Sequence, residues 1–122
     1  LLGSGEEGAA SIVEPLLKAL SEGGQINWLG SAELIHKVPM PELLIILERW
    51  VADLLSVQQA GIVRYYPSKQ SELQRCAQLA RPNKLSDFWK ALIDARRHEL
   101  HALAHRVQIE ALLIRYQEIF KD

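Results

Sequence analysis

The segment Pro41–Gly61, PELLIILERWVADLLSVQQAG, constrains the fold more than any other. Leu43, Leu47, Trp50, Val51 and Leu54 recur at i, i+4, i+7, i+8 and i+11, the repeat of one helical face. Leu44, Ile45, Ala52 and Leu55 widen that face. Only a narrow stripe through Glu42, Arg49, Asp53 and Ser56 is consistently polar. A helix so apolar around its circumference belongs in the middle of a bundle, so the spacing predicts further helices packed about it.

Proline, glycine and capping residues divide the rest of the chain. Gly3 to Gly8, GSGEEG, has the composition of a flexible polar lead-in. AASIVEPLLKALSEGG predicts a first helix with Ile12, Leu16, Leu17 and Leu20 in apolar register, Pro15 in its first turns and Gly23-Gly24 at its end. Asn27 is placed to cap a short second helix, WLGSAELIHKV. Pro39 and Pro41 stop that helix, Pro41 suits the first turn of the next, and Gly61 closes the long apolar one. IVRYYPSK reads as a connector. Ser68 is placed to cap a fourth helix, KQSELQRCAQLA, which runs into Arg81-Pro82. Ser86 is placed to cap a fifth, with Phe88, Trp89, Leu92 and Ile93 facing inward. A last helix, VQIEALLIRYQEIF, carries Ile109, Leu112, Leu113, Tyr116 and Phe120 on one face. Strand-like alternation is confined to IVRYY, and no solenoid repeat is visible. The expected fold class is all-α, a compact bundle of five to six helices.

The stretch His98–His105, HELHALAH, packs three of the four histidines of the chain into eight residues. A zincin helix requires His-Glu-x-x-His, with two histidines at i and i+4 and a glutamate as base. Here His98-Glu99 is followed by His101, one residue too early. His101 and His105 do stand at i and i+4, but Ala102 occupies the place of the glutamate. The reading is a helix junction and no metal site. The competing reading is a metal-dependent hydrolase built on this cluster.

With 122 residues, the chain is long enough for one modest core, and 48% hydrophobic with 24% charged residues is an ordinary globular balance. A net charge of -1 supplies no whole-chain attraction for nucleic acid. The single cysteine excludes an internal disulfide framework and fits a reducing cytoplasm. Apolar runs such as ELLIIL are too short to cross a membrane. Phosphate-binding glycine loops, nucleophile elbows and paired Cys-x-x-Cys motifs are missing, and the carboxylates sit at helical intervals among Lys and Arg, as solvated faces do. No catalytic residue and no cofactor follow from the sequence.

Candidate contacts to a partner protein come from two places. Basic residues gather near KALIDARRHELH, where Lys90, Arg97 and His101 share a face and Arg96 lies beside them. Either they form a solvated helix end favoured by the dipole, or they meet an acidic partner or phosphate. Tyr65 and Tyr66 stand in a connector, where aromatic residues serve either partner contact or packing over the bundle edge. Trp89 is nearby in the apolar register. The candidate interface residues are therefore Tyr65, Tyr66, Trp89, Arg96 and Arg97.

The order LLIILERWVADLLSVQQAG, LQRCAQLA, FWKALIDARRHEL, IEALLIRY resembles the C-terminal collar domain of the delta prime subunits of bacterial DNA polymerase III clamp loaders, over roughly Trp28 to Phe120. ERWVADLL and EALLIRY are its most specific pieces, and none of these motifs is catalytic. The resemblance implies a subunit of a five-membered ring, held together by helical collar domains, that loads the sliding clamp on primed DNA. The parent assembly is a DNA-directed DNA polymerase, a nucleotidyltransferase, but the collar itself carries no catalysis and needs no cofactor. The implied partners are the C-terminal domains of the gamma/tau and delta subunits, with DNA and clamp reached only through the full assembly. The lack of an initial Met and the opening LLGSGEEG then suggest residues 1–8 as a linker from an absent N-terminal ATPase-like region, and 9–122 as the single collar domain. One departure stands out: Ala104-His105 occupies the place where the family often has Asn-Pro. Two other readings stay open, an unrelated helical scaffold and direct DNA binding through Lys90, Arg96 and Arg97.

Overall fold

The apolar stripe runs where its periodicity puts it. The computed structural model describes residues 4–97 and 105–121, which form six α-helices and no strand. They are α1 (Ser4–Leu20), α2 (Trp28–Ile35), α3 (Met40–Ala60), α4 (Gln70–Leu79), α5 (Pro82–Arg97) and α6 (His105–Glu118), with short 3₁₀ turns at Gly23–Gln25 and Pro67–Lys69. α3 packs chiefly against α5 and α4 and also meets α1, while α6 lies across α2 and α5. Leu43, Leu44, Leu47, Trp50, Val51 and Leu54 are all buried. The widening residues behave differently: Ile45 is exposed, and Ala52 and Leu55 are only half-buried. α3 thus keeps one apolar strip outside the core. No helix among the described residues is long and apolar enough to cross a membrane.

The core is tied together by polar atoms as well as by packing. Trp50 Nε1 donates to the Tyr116 hydroxyl at 2.9 Å, and that hydroxyl donates to the Leu20 carbonyl at 2.7 Å. One chain of bonds therefore joins α3, α6 and α1. Phe88 and Phe120 flank the Tyr116 ring at centroid distances of 5.8 and 5.2 Å. Phe120 also covers Gly23, whose φ of +56° is the left-handed conformation that favours glycine.

Several helix ends fall where the capping chemistry predicts. Asn27 Oδ1 accepts from Gly30 N at 3.0 Å, and Gly61 closes α3 with φ 73° and its N–H on the Val57 carbonyl. A Cβ on Gly61 would meet nothing within 4 Å. Gly61→Ala should therefore cost about 1 kcal/mol through backbone strain alone, visible as a small drop in the urea midpoint with unchanged slope.

Other ends correct the sequence reading. Helix, not flexible lead-in, begins at Ser4, so Pro15 lies well inside α1. The sequence there holds Glu6, Glu7, Ala9 and Ala10, residue types of good helix propensity. Pro15 sits on the exposed side, where only its own ladder bond is lost. Ser68 does not cap α4; it lies in the 3₁₀ turn, Lys69 is the cap residue and makes no capping bond, and its ammonium pairs with Glu14 at 2.6 Å. Ser86 is inside α5, which starts four residues earlier at Pro82. Proline fits a first helical position because its missing N–H is not needed there. α6 begins at His105 rather than Val107 and ends before Phe120, which sits in the following turn. Trp89 and Ile93, expected to face inward, are half-buried.

Two buried acids and a half-buried one make the fold sensitive to alkali. Burial pushes the Cys76 thiol up, holds the Tyr116 phenol well above its ordinary range, and raises Tyr66 to about 12. Each group stays protonated in the folded chain at a pH where the unfolded chain has released its proton. Stability contributed by these groups is whole below their unfolded pKa values and is lost as pH rises towards the folded ones. Chemical denaturation should give a flat stability from pH 7 to 8 and a decline that starts near 9 and steepens above 10. Tyr116→Phe should remove part of that steepening.

Candidate functional site

The exposed strip of α3 becomes a groove because the chain after Gly61 is pulled back alongside it. The agent is Asp53, which the stripe with Glu42, Arg49 and Ser56 placed on a polar surface but which is fully buried. Its Oδ1 accepts from the backbone N–H groups of Arg64 and Tyr65 at 2.8 and 3.0 Å. Its Oδ2 accepts from those of Tyr65 and Tyr66 at 3.1 and 2.9 Å. A carboxylate taken out of water needs such charge-assisted bonds, and here they fix three successive residues of a connector that has no secondary structure of its own.

Pinned this way, the two tyrosines point to opposite sides. Tyr65 is exposed, with the Arg49 guanidinium 5.4 Å from its ring centroid. Tyr66 turns inward: its ring lies 6.2 Å from that of Trp50 and its hydroxyl donates to the Ile46 carbonyl at 3.4 Å. Of the two uses weighed for this pair, Tyr66 takes the packing one and Tyr65 stays on the surface.

Trp89 of α5 forms the opposite wall. Between it and Tyr65 lies a groove of about 260 Å³, floored by Ile45, Glu48, Arg49 and Ala52. Beyond Ala52 it continues as a second hollow of about 280 Å³, lined by Leu55, Ser56, Gln59 and Ala60 of α3, with Arg64 and again Trp89. Arg96 ties down the near end with a forked ion pair to Glu48, Nη2 to Oε1 at 2.8 Å and Nε to Oε2 at 3.1 Å. Arg97 is exposed at the end of α5 and is not among the lining residues. The structure thus brings Tyr65, Trp89 and Arg96 to one face, turns Tyr66 into the packing beneath it, and leaves Arg97 outside.

Sequence reasoning missed Asp53, Arg49 and Arg64 as parts of this face. A signal for Asp53 existed: it stands at i+7 from Ile46 and i+3 from Trp50, in a row those two bury. Tyr, Trp and Arg beside a half-exposed apolar floor is the chemistry of protein recognition.

A larger hollow of about 570 Å³ lies between the end of α3, α4 and Pro82. Its most enclosed polar group, the Gln58 amide, is already committed to the carbonyls of Ala77 and Ala80, both at 3.0 Å. Of the histidine stretch, only His105 lies within the described residues; its Nε2 is 3.2 Å from the Val38 carbonyl, which docks the start of α6 onto the turn between α2 and α3. His98 and His101 lie outside the described residues, and among the described ones no three His, Cys, Asp or Glu side chains are grouped to hold a metal. Compared with known proteins, the chain matches no family model, no curated protein and no solved structure.

Proposed function

We propose that this chain is a non-catalytic assembly domain of the clamp-loader collar type, acting in the bacterial cytoplasm to hold a DNA polymerase III clamp loader together during replication. Its partners in this reading are the C-terminal domains of the gamma/tau and delta subunits. The observation that carries the proposal is the groove: Tyr65 and Trp89, singled out independently as partner contacts, wall one apolar-floored channel that Arg96 braces at its end. The two sequence pieces with the strongest family resemblance, Glu48–Leu55 and Glu110–Tyr116, also supply Trp50 and Tyr116, the pair that bonds α3 to α6. A collar domain needs such a rigid core beneath a side face that it offers to a neighbour.

The test is co-elution with the gamma/tau and delta C-terminal domains from the same source. Tyr65→Ala combined with Trp89→Ala should weaken co-elution while circular dichroism stays unchanged. Parent chain that elutes alone beside competent partners would remove the clamp-loader reading.

A further inference from the structure

The α3 groove has a charge and a hydrogen-bonding state that together restrict its occupant. Three arginines border it, Arg49, Arg64 and Arg96, against one lining carboxylate, Glu48, which Arg96 already engages. Asp53 lies beneath, fully buried, with its oxygens on backbone N–H groups, and the sum remains positive when it is included. This positive strip belongs to a chain whose net charge is -1, so it is a local feature and not part of a general basic surface. Between the charged groups the floor presents the apolar side chains of Ile45, Ala52 and Leu55.

The groove also offers few backbone partners to an incoming chain. The N–H groups of Arg64, Tyr65 and Tyr66 are consumed by Asp53, and those along α3 are consumed within the helix. An extended segment could not add itself as a strand here. A segment that satisfies its own backbone can dock, and that is a helix. From Ile45 to Gln59 the floor is about 21 Å long, which about fourteen residues of helix would span.

We propose that the groove receives an acidic amphipathic helix of a neighbouring protein, with apolar side chains against Ile45, Leu55 and Trp89 and carboxylates meeting Arg49 and Arg64. The inference rests on the assembly reading above and specifies the partner surface that reading requires. A carboxylate-bearing amphipathic helix is favoured over a nucleic-acid backbone because Ile45, Ala52 and Leu55 give its apolar side chains a surface to cover, and a phosphate backbone has none to offer.

The test is titration of the chain with the gamma/tau and delta C-terminal domains by interferometry at low and moderate salt. The double variant R49E/R64E should weaken binding at least tenfold, and R49Q/R64Q should weaken it by a smaller factor should the charge reversal disturb folding. K18E/K37E, of the same net charge as R49E/R64E but away from the groove, should bind within twofold of the parent. Binding of the parent should also fall with salt. Equal binding by the parent and both groove variants overturns the groove assignment and leaves the assembly reading standing. No binding by the parent removes the assembly reading and the groove assignment with it. A 20-nucleotide oligothymidylate serves as the competing probe: salt-sensitive binding abolished by R49E/R64E would make the groove a phosphate surface and overturn the carboxylate helix.

Discussion

Trp50→Ala is expected to cause the largest single loss of stability in this fold, about 4 kcal/mol. The side chain is fully buried in the middle of α3, so removing its ring opens a cavity in a close-packed interior. The loss adds a polar defect to the cavity, because Trp50 Nε1 donates to the Tyr116 hydroxyl that in turn holds the Leu20 carbonyl. Domains of this size have only about 5–15 kcal/mol in total, so the loss is a large fraction and should lower the urea midpoint well below that of the parent. Tyr116→Phe separates the two contributions. It keeps the ring but strands the indole N–H and leaves the Leu20 carbonyl only the weak Cys76 thiol donor at 3.9 Å, at a cost of about 1–3 kcal/mol. Urea denaturation followed by circular dichroism measures both. Midpoints for Trp50→Ala within error of the parent would mean that α3 is not the centre of the bundle.

Asp53→Ala should come next, at about 3 kcal/mol, because it removes the acceptor for three successive backbone N–H groups. The connector lies near the surface, so water can meet part of that need, which keeps the cost below the sum of three lost acceptors. Asp53→Asn retains one oxygen and should cost about half as much. The two effects of the change differ in reach. Amide hydrogen exchange should accelerate locally at Arg64, Tyr65 and Tyr66, and partner binding should weaken beyond the loss of folded protein, since Tyr65 no longer stands over Arg49. Unchanged exchange at those three amides would contradict the role given to the carboxylate.

Asp53 also marks the limit of what the sequence discloses. α3 was legible because its repeat is long, its C-terminal glycine has no competing use, and burial of Leu43, Leu47, Trp50, Val51 and Leu54 follows from spacing alone. The role of Asp53 depends on where residues 62–66 go, and nothing in their spelling fixes that path until the carboxylate is placed. Tyr65 and Tyr66 were ambiguous for the same reason. Once the backbone is pinned, successive side chains diverge, and one becomes surface while the other packs on Trp50. Arg81-Pro82 misled because a proline is equally compatible with a helix that has just ended and one that is starting. Here both are true: α4 ends at Leu79, Ala80 is extended, and α5 begins at Pro82. The start of α1 was hidden by glycines, whose cost of about 1 kcal/mol each did not prevent helix beside Glu6, Glu7 and the two alanines. The groove was half legible. Its aromatic walls and Arg96 could be named from the sequence, but Arg49 and Arg64 could be assigned only when the connector was seen to return along α3.

The central claim, assembly through this face, is tested most directly by native mass spectrometry of the chain, alone and mixed with the C-terminal domains of the gamma/tau and delta subunits from the same source, without nucleotide. The account predicts a mixed complex of defined stoichiometry that the parent chain enters and R49E/R64E enters poorly. A folded chain that stays out of the complex formed by its partners would contradict it.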